Sequence, residues 1–555
     1  MADATATRTG WVRGAVGVLV LGFVAQAHLS VRQKSAILHE PLYAYAGYQY
    51  LERGAYRVNF DSPPLLKQLA ALPLVGLGLD AAAGPDERAY ALAITFLYEN
   101  RLPVDRMLAR LRAPFLVLGV LLGVVVFLWA RALYGTSGGL LALWLYTFST
   151  ALLGEAGFAN HDFGLTCLSV LTLYAAWRLR ARPSVTGAIG VGVILGLALV
   201  SKFSALLLVP ALVGLGLVDA LAGAGAAGRG RALGRCAGML ATMLVAAALV
   251  VWADYGFDVG SLRVDLYRQV LERVAPGGVT SRVAAWLPAV ISFPGALYAE
   301  GALLQMIHGW IGHINYFLGE VSYGGWRRYY LVTLLYRAPL PLMAIAALRL
   351  ATWRPGRQGR WRDEVWLLAY GALTFVLFSL SRTQLGLRYV LVIFPLVFVF
   401  LGGLAARGVA GMRPWVCAAV AACLAWYAVD SLRAYPDYLT YFNPLGGGPD
   451  AGYRKIIEGV DLGQDAAGLQ RFVAARDIPE MRVSCFGCPP PHYLGPAFKP
   501  LGCRPTDGWI AVSVRHLVMP EPFLPRGCFE WLSGREPVAR IGHSIHVFES
   551  AGGGR

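Results

Sequence analysis

Long apolar runs recur along the chain, separated by short polar segments. Runs of roughly 18 or more apolar residues are long enough to cross about 30 Å of hydrocarbon as helices. About eleven such spans are predicted, over 11–30, 112–132, 139–157, 162–179, 185–201, 203–221, 236–255, 330–350, 365–381, 387–405 and 412–430. The pattern predicts a polytopic α-helical membrane protein. The run at 14–27 has the length of a signal-peptide core, but no small-residue cleavage site follows it, so it reads as the first span.

With this count most arginine clusters fall on one face: Arg8 and Arg13, Arg131, Arg178 to Arg182, Arg229 to Arg235, Arg349 to Arg362, and Arg407 with Arg413. The positive-inside rule makes that face, and the N-terminus, cytoplasmic. The odd number of spans carries the C-terminal tail outside. Three segments on the outer face are too long for simple loops: 31–111, 256–329 and 431–555. Within the first, 65–79 and 87–112 read as helices lying in the interface. The last changes composition after Asp430, with GGGPD at 446–450 and strand-like WIAVSV at 509–514 and HSIHVF at 543–548. It predicts a small α/β domain. The expected domains are thus a membrane part over 1–430 and an extracytoplasmic α/β part over 431–555.

Composition agrees with a membrane class. The 555-residue chain is 57% hydrophobic and 15% charged, against about a quarter charged in soluble proteins. The net charge of +16 does not imply nucleic-acid binding, because the arginines sit in short loops and follow topology. Lysine is scarce: Lys34, Lys67, Lys202, Lys455 and Lys499 are the five.

Some outer-face charges exceed what topology asks for. Lys202 lies between two apolar runs, and Arg388 opens another. Lys67 follows a Pro-Pro pair, and Arg327, Arg328 and Arg337 flank the span near 330. Snorkelling to headgroups accounts for Arg327 and Arg328. It accounts less well for Lys202, since ionisable groups between spans line cavities or pair with something. A phosphate is a suitable partner: at about 4 Å and an effective dielectric near 20, a charge pair is worth about 4 kcal/mol before desolvation. Among the acids, Asp162 stands at the outer start of a span, where a helix cap is the plain alternative. Glu40 and Asp61 lie in an irregular, proline-rich segment where capping explains less. Acids and cations at one mouth suit proton removal beside a phosphate leaving group.

The segment 39–74 resembles the first outer loop of the GT-C class of polyprenyl-phosphate-dependent glycosyltransferases, relatives of the protein O-mannosyltransferases of glycosyltransferase family 39 and of the bacterial lipid A aminoarabinose transferases. The carriers are HEP at 39–41, AGYQYL at 46–51 and DSPPLLK at 61–67. Further stretches are similar in order: FLYENRLPVDRMLARL at 96–111, EAGFANHD at 155–162, GLALVSKFSALLLVP at 196–210, the stretch 308–342, GLRYVLVIFPLVF at 386–398, and YLTYFNPLGGGPDAGYR with VDLGQDAAGLQRF in the tail. The resemblance implies an inverting transfer of a hexosyl or pentosyl group from a polyprenyl-monophosphate donor. The acceptor would be a lipid, glycan or protein at the outer face of a bacterial inner membrane. It implies a first-loop acid as base, with Lys202 and Arg388 on the lipid phosphate and Lys67 and Tyr329 as further phosphate contacts. The family opens this loop with Asp-Glu, and here the aspartate position is His39. Glu40, His39, Asp61 and Asp162 all stand as candidates for the base. A transporter or flippase of lipid-linked sugars, or a non-catalytic relative, is the alternative.

No firm metal site or cofactor is predicted, although a divalent metal stays open. His308 and His313 are five apart, off the spacing of helical ligands. Cys167, Cys236, Cys417 and Cys423 lie in or beside spans. Cys485, Cys488, Cys503 and Cys528 lie in the tail, where two disulfides are expected over zinc, with the pairing open.

Overall fold

The computed structural model describes residues 2–84, 88–223, 228–262, 292–353, 361–406 and 414–550, with side chains from Gly10 onward. The Arg8 side chain, Arg354, Arg357, Arg360, Arg407, Arg413 and much of the expected 256–329 loop lie outside what is described.

Helix α1 (Ala2–Val31) leads into the first outer loop, which holds α2 (Glu40–Arg53), α3 (Leu65–Ala71) and α4 (Ala89–Tyr98). A 44-residue helix, α5 (Val104–Thr147), follows, broken at Gly135. Then come α6 (Thr150–Ala156), α7 (His161–Ala181), α8 (Val185–Leu199), α9 (Leu208–Gly223) and α10 (Arg229–Asp254). The second half holds α11 (Ala296–Ile311), α12 (Tyr329–Arg337), α13 (Leu340–Thr352), α14 (Trp361–Leu380), α15 (Ile393–Leu401) and α16 (Pro414–Ala434).

Six helices among the described residues are long and apolar enough to span a membrane, or up to seven if α12 and α13, bent by 110°, form one span. The expected count was about eleven. The difference has a physical cause. The span expected at 185–201 is found as α8, of only 15 residues, the one at 203–221 as a 3-10 turn running into α9, and those at 112–132 and 139–157 share α5. The run at 387–405 splits into a 3-10 turn, α15 and a second turn, and the run at 139–157 is interrupted at Phe148 and Ser149 before α6. Hydropathy registers apolar length but not the breaks that polar and irregular backbone introduce where it lines protein interior.

One large hydrophobic cluster fills the bundle, drawing on α1, α5, α7, α8, α14 and α15. A second cluster, with Tyr45, Leu66, Phe96, Leu111 and Phe115, seats the first-loop helices on the head of α5. Here α2 and α3 approach closely at Gly47, where an added Cβ would lie 1.9 Å from the Lys67 carbonyl oxygen. That contact explains why the AGYQYL motif needs glycine.

The tail forms a five-stranded mixed sheet. Its strands are β3 (Met481–Ser484), β4 (Phe498–Pro500), β5 (Gly508–Ser513), β6 (Ala539–Ile541) and β7 (Ile545–Ser550), numbered after a hairpin of β1 (Asn315–Phe317) and β2 (Glu320–Ser322). The spatial order is β4-β3-β5-β7-β6, parallel across β4, β3 and β5 and antiparallel beyond. The period-2 alternation of strands sends Ala511 to a core shared with Leu469 and Val473 of α17 (Ala466–Ala475), and Ile510 and Val512 to the opposite core with Phe529 and Leu532. The tail cysteines pair as Cys485–Cys488 and Cys503–Cys528. The tail docks on the chain just ahead of the first loop. Lys34 reaches Asp437 and, at 2.6 Å, Asp465, while the amides of Ser35 and Leu38 donate to the Gln464 and Leu462 carbonyls at 2.9 Å.

Candidate functional site

Asn160 opens α7 as its N-cap: the side-chain oxygen accepts from the Phe163 amide at 3.0 Å. The cap role considered for Asp162 is therefore taken, and the buried Asp162 carboxylate turns to other partners. Lys202, in extended backbone between α8 and the following 3-10 turn, places its Nζ 2.5 Å from Asp162 Oδ1. Arg388 comes from a third segment. Gly386 at φ 82° starts its 3-10 turn, and a Cβ there would lie 2.3 Å from the Glu458 carbonyl oxygen. Arg388 Nε sits 4.0 Å from Asp162 Oδ2 and donates to the Leu385 carbonyl at 3.0 Å. Tyr389 covers the cluster, its ring centroid 4.1 Å from Lys202 Nζ. These groups line one small cavity with Thr166 and Ser169. Two cations thus face one carboxylate, leaving an excess positive charge where an anion is favoured.

His39 and Tyr43 stand at the edge of this cluster. The His39 ring stacks on Tyr43, and Tyr43 stacks on His161 with centroids 4.1 Å apart. Burial, with Arg388 and Lys202 nearby outweighing Asp162, pushes the His39 imidazole down to about 3. It is a neutral ring with little proton affinity, which does not suit the role of base.

Glu40 has a different place from the one expected. It is fully buried. Arg112 grips it in a two-point pair, Nε to Oε1 at 2.8 Å and Nη2 to Oε2 at 2.7 Å, while the amides of Ile37 and Ala159 each donate to it at 3.0 Å. Arg112 also donates to the carbonyls of Val31, Lys34 and Ser35. Glu40 is thereby the buckle that ties the loop to α5 and to the chain ahead of α7, and its oxygens are committed to that work. Lys67 lies in the same loop. It is fully buried and donates to the carbonyls of Asn59 and Ser62 and to the Tyr50 hydroxyl, pinning the turn before Pro63-Pro64.

Asp61 keeps partial exposure. Its Oδ1 accepts from Asn59 Nδ2 at 2.6 Å, and its backbone carbonyl accepts from Gln305 of α11 at 2.7 Å. Tyr329 is fully buried against Phe317 and Tyr330, on the Arg388 side of the bundle.

Sequence reasoning placed Arg337 with Arg327 and Arg328 at the span near 330 and offered snorkelling for the latter two alone, which are exposed. Arg337 is instead buried. Its Nη2 donates to the Leu439 carbonyl at 2.8 Å, and Nε and Nη1 have no partner among the described residues. It shares a second small cavity with Arg388 and Glu155. Glu155 was quoted in EAGFANHD without a role; it accepts from Asn160 Nδ2 at 2.8 Å. Spacing carried no signal for either, because three separate segments bring them together. Among the described residues no group of three His, Cys, Asp or Glu side chains is placed to hold a metal ion. The rings of His308 and His313 lie 5.7 Å apart.

Residues 105–252 match the family model described as dolichyl-phosphate-mannose-protein mannosyltransferase. That match covers less than half of the chain and begins after the first-loop motifs at 39–74. Among solved structures it is similar to ArnT from Cupriavidus metallidurans bound to undecaprenyl phosphate, at 16% identity over 97% of this chain and 98% of that one, with a TM-score of 0.47. It is also similar to the apo oligosaccharyltransferase of Archaeoglobus fulgidus, at 16% identity over 77% of this chain and 55% of that one, with a TM-score of 0.43. Among curated proteins none matches.

Proposed function

We propose that this protein transfers a sugar from a polyprenyl-monophosphate carrier to an acceptor hydroxyl at the outer face of a bacterial inner membrane, with inversion. One observation carries the proposal: Lys202 and Arg388, from segments far apart in the chain, converge with Asp162 in one buried cavity. As the bond from the anomeric carbon to the phosphate oxygen breaks, its electron pair passes to the phosphate. The two cations stabilise that growing charge, and Asp162 keeps them oriented while the cavity holds no anion. The acceptor hydroxyl attacks from the opposite side of the sugar and loses its proton to an acid of the first loop. Asp61 fits that role better than Glu40, whose oxygens already take four hydrogen bonds, or His39, whose proton affinity is low.

The test is turnover of a purified polyprenyl-phosphate sugar by the protein in proteoliposomes, read as release of free lipid phosphate. Lys202→Ala and Arg388→Ala should each lower the rate by about 10²–10³-fold, measured on protein shown by cooperative thermal unfolding to be folded. Intact lipid-linked sugar moved across the bilayer without release of lipid phosphate would replace the transferase by a flippase. Unchanged turnover in both variants would remove the phosphate assignment.

A further inference from the structure

At the end of the bundle away from Asp162 lies a cleft of about 570 Å³ walled by α7, α9, α10 and α14. Helix α7 links the two sites. It begins beside Asp162 and ends past Arg180, and next to it α14, one of the helices long and apolar enough to span, carries Trp366 at the cleft and Tyr370, Thr374 and Phe378 at the Asp162 cavity; its 20 residues extend about 30 Å, the hydrocarbon thickness of a bilayer. The cleft therefore sits at the opposite membrane surface, the one rich in arginine.

Its walls are apolar, with Leu212, Met239, Leu240 and Met243 among them. Its polar end divides in two. On one side Arg180 pairs with Asp219 at 3.3 Å and with Asp363, while Trp366 donates to Asp219 at 2.8 Å and Trp177 to Asp363 at 2.9 Å. Those acids are fully engaged. On the other side Arg231 and Arg235, one turn apart on α10, line the cleft exposed and make no ion pair or side-chain hydrogen bond among the described residues. With Arg180 held by Asp219 and Asp363, the three arginines of the lining outnumber the acids at this end by one. Next to the cleft, α9 and α10 expose Leu217, Leu221, Leu244 and Val245, the apolar surface that a helix presents to lipid.

We propose that this cleft binds one anionic glycerophospholipid of the arginine-rich side's leaflet, its acyl chain along the methionine and leucine wall and its phosphate between Arg231 and Arg235. Volume, apolar walls and a few convergent charges at one end are what a ligand site of this class requires, and a basic pocket between spans at the cytoplasmic side selects acidic headgroups. The site is separate from the proposed sugar-transfer cavity, and its occupancy is read without turnover.

Native mass spectrometry of the full-length protein, released from vesicles of phosphatidylcholine and phosphatidylglycerol mixed 3:1, tests the proposal. Wild type should retain one phosphatidylglycerol over phosphatidylcholine by at least tenfold relative to their abundance. Arg231→Gln with Arg235→Gln should abolish that preference, and Arg229→Gln, on the same helix outside the cleft, should keep it. Equal retention of both lipids by wild type overturns the proposal, and so does an unchanged preference in the double variant. Displacement of the retained lipid by equimolar undecaprenyl phosphate would overturn the assignment to a glycerophospholipid.

Discussion

At the scale of single residues, the first loop separates residues that hold the fold from residues able to do chemistry. Glu40 and Arg112 form a buried two-point pair, and breaking such a pair by removing one partner costs about 3–5 kcal/mol. Glu40→Ala should therefore lower the unfolding midpoint in detergent and cut yield. A Glu40→Ala protein of wild-type stability that turns over no donor would return Glu40 to the role of base. Asp61 and His39 give the complementary pair. Asp61→Asn should lower turnover by about 10²-fold or more, the range of a lost general base. His39→Gln should stay within about tenfold of wild type, below that range, because a ring held near 3 by burial and two cations carries no proton at neutral pH. The same depressed value means that folding loses stability only as pH falls below the ordinary histidine value near 6.5. The turnover ratio of wild type to His39→Gln should then be flat between pH 6.5 and 8.5.

At the scale of elements, the loop helices work as a rigid plate. Contact between α2 and α3 is set by a missing side chain, since Gly47 lies against the Lys67 backbone. Gly47→Ala forces the two helices apart, at a cost of about 1–3 kcal/mol for overpacking. It should also shift the turn that carries Asp61, which Lys67 pins through the Asn59 and Ser62 carbonyls. Thermal unfolding and donor turnover measured together should both fall. An unchanged midpoint would mean that the plate yields easily. The loop helices α3 and α4, the tail strands and the break at Lys202 were legible in the sequence, since each rests on local periodicity or on one charge interrupting an apolar run, whereas α2, which carries Glu40, stood there as irregular chain. The division of long apolar runs into short helices and 3-10 turns was not, because hydropathy counts residues without their backbone angles.

At the scale of the molecule, the tail carries its own buried polar contacts beside the segment that docks on Ser35 and Leu38. Arg515 pairs with Glu458 at 3.1 Å, and its amide donates to Asp461 at 3.1 Å. Burial outweighs those bonds and raises Asp461 to about 7. An acid raised in the folded state stabilises the fold when protonated. Its contribution is fully present below the ordinary carboxylate value near 4 and is lost as pH rises through about 7. Asp461→Asn should accordingly raise the unfolding midpoint above wild type at pH 8. The difference should narrow as pH falls and close near pH 4. A difference independent of pH would place the strain elsewhere.

The sequence by itself determined the membrane class, the α/β tail, the resemblance to polyprenyl-phosphate-dependent glycosyltransferases and the exceptional standing of Lys202, Arg388 and Asp162. Each of these is written in local composition or in a motif short enough to read along one segment. Only the tertiary structure decided which charges meet. It joined Asp162, Lys202 and Arg388 across more than two hundred residues, paired Glu40 with Arg112, turned Lys67 toward the Ser62 carbonyl, and buried Arg337. The physical reason is that an ionisable side chain is defined by its partners and its burial, and in a helical bundle both come from segments that are distant in the chain.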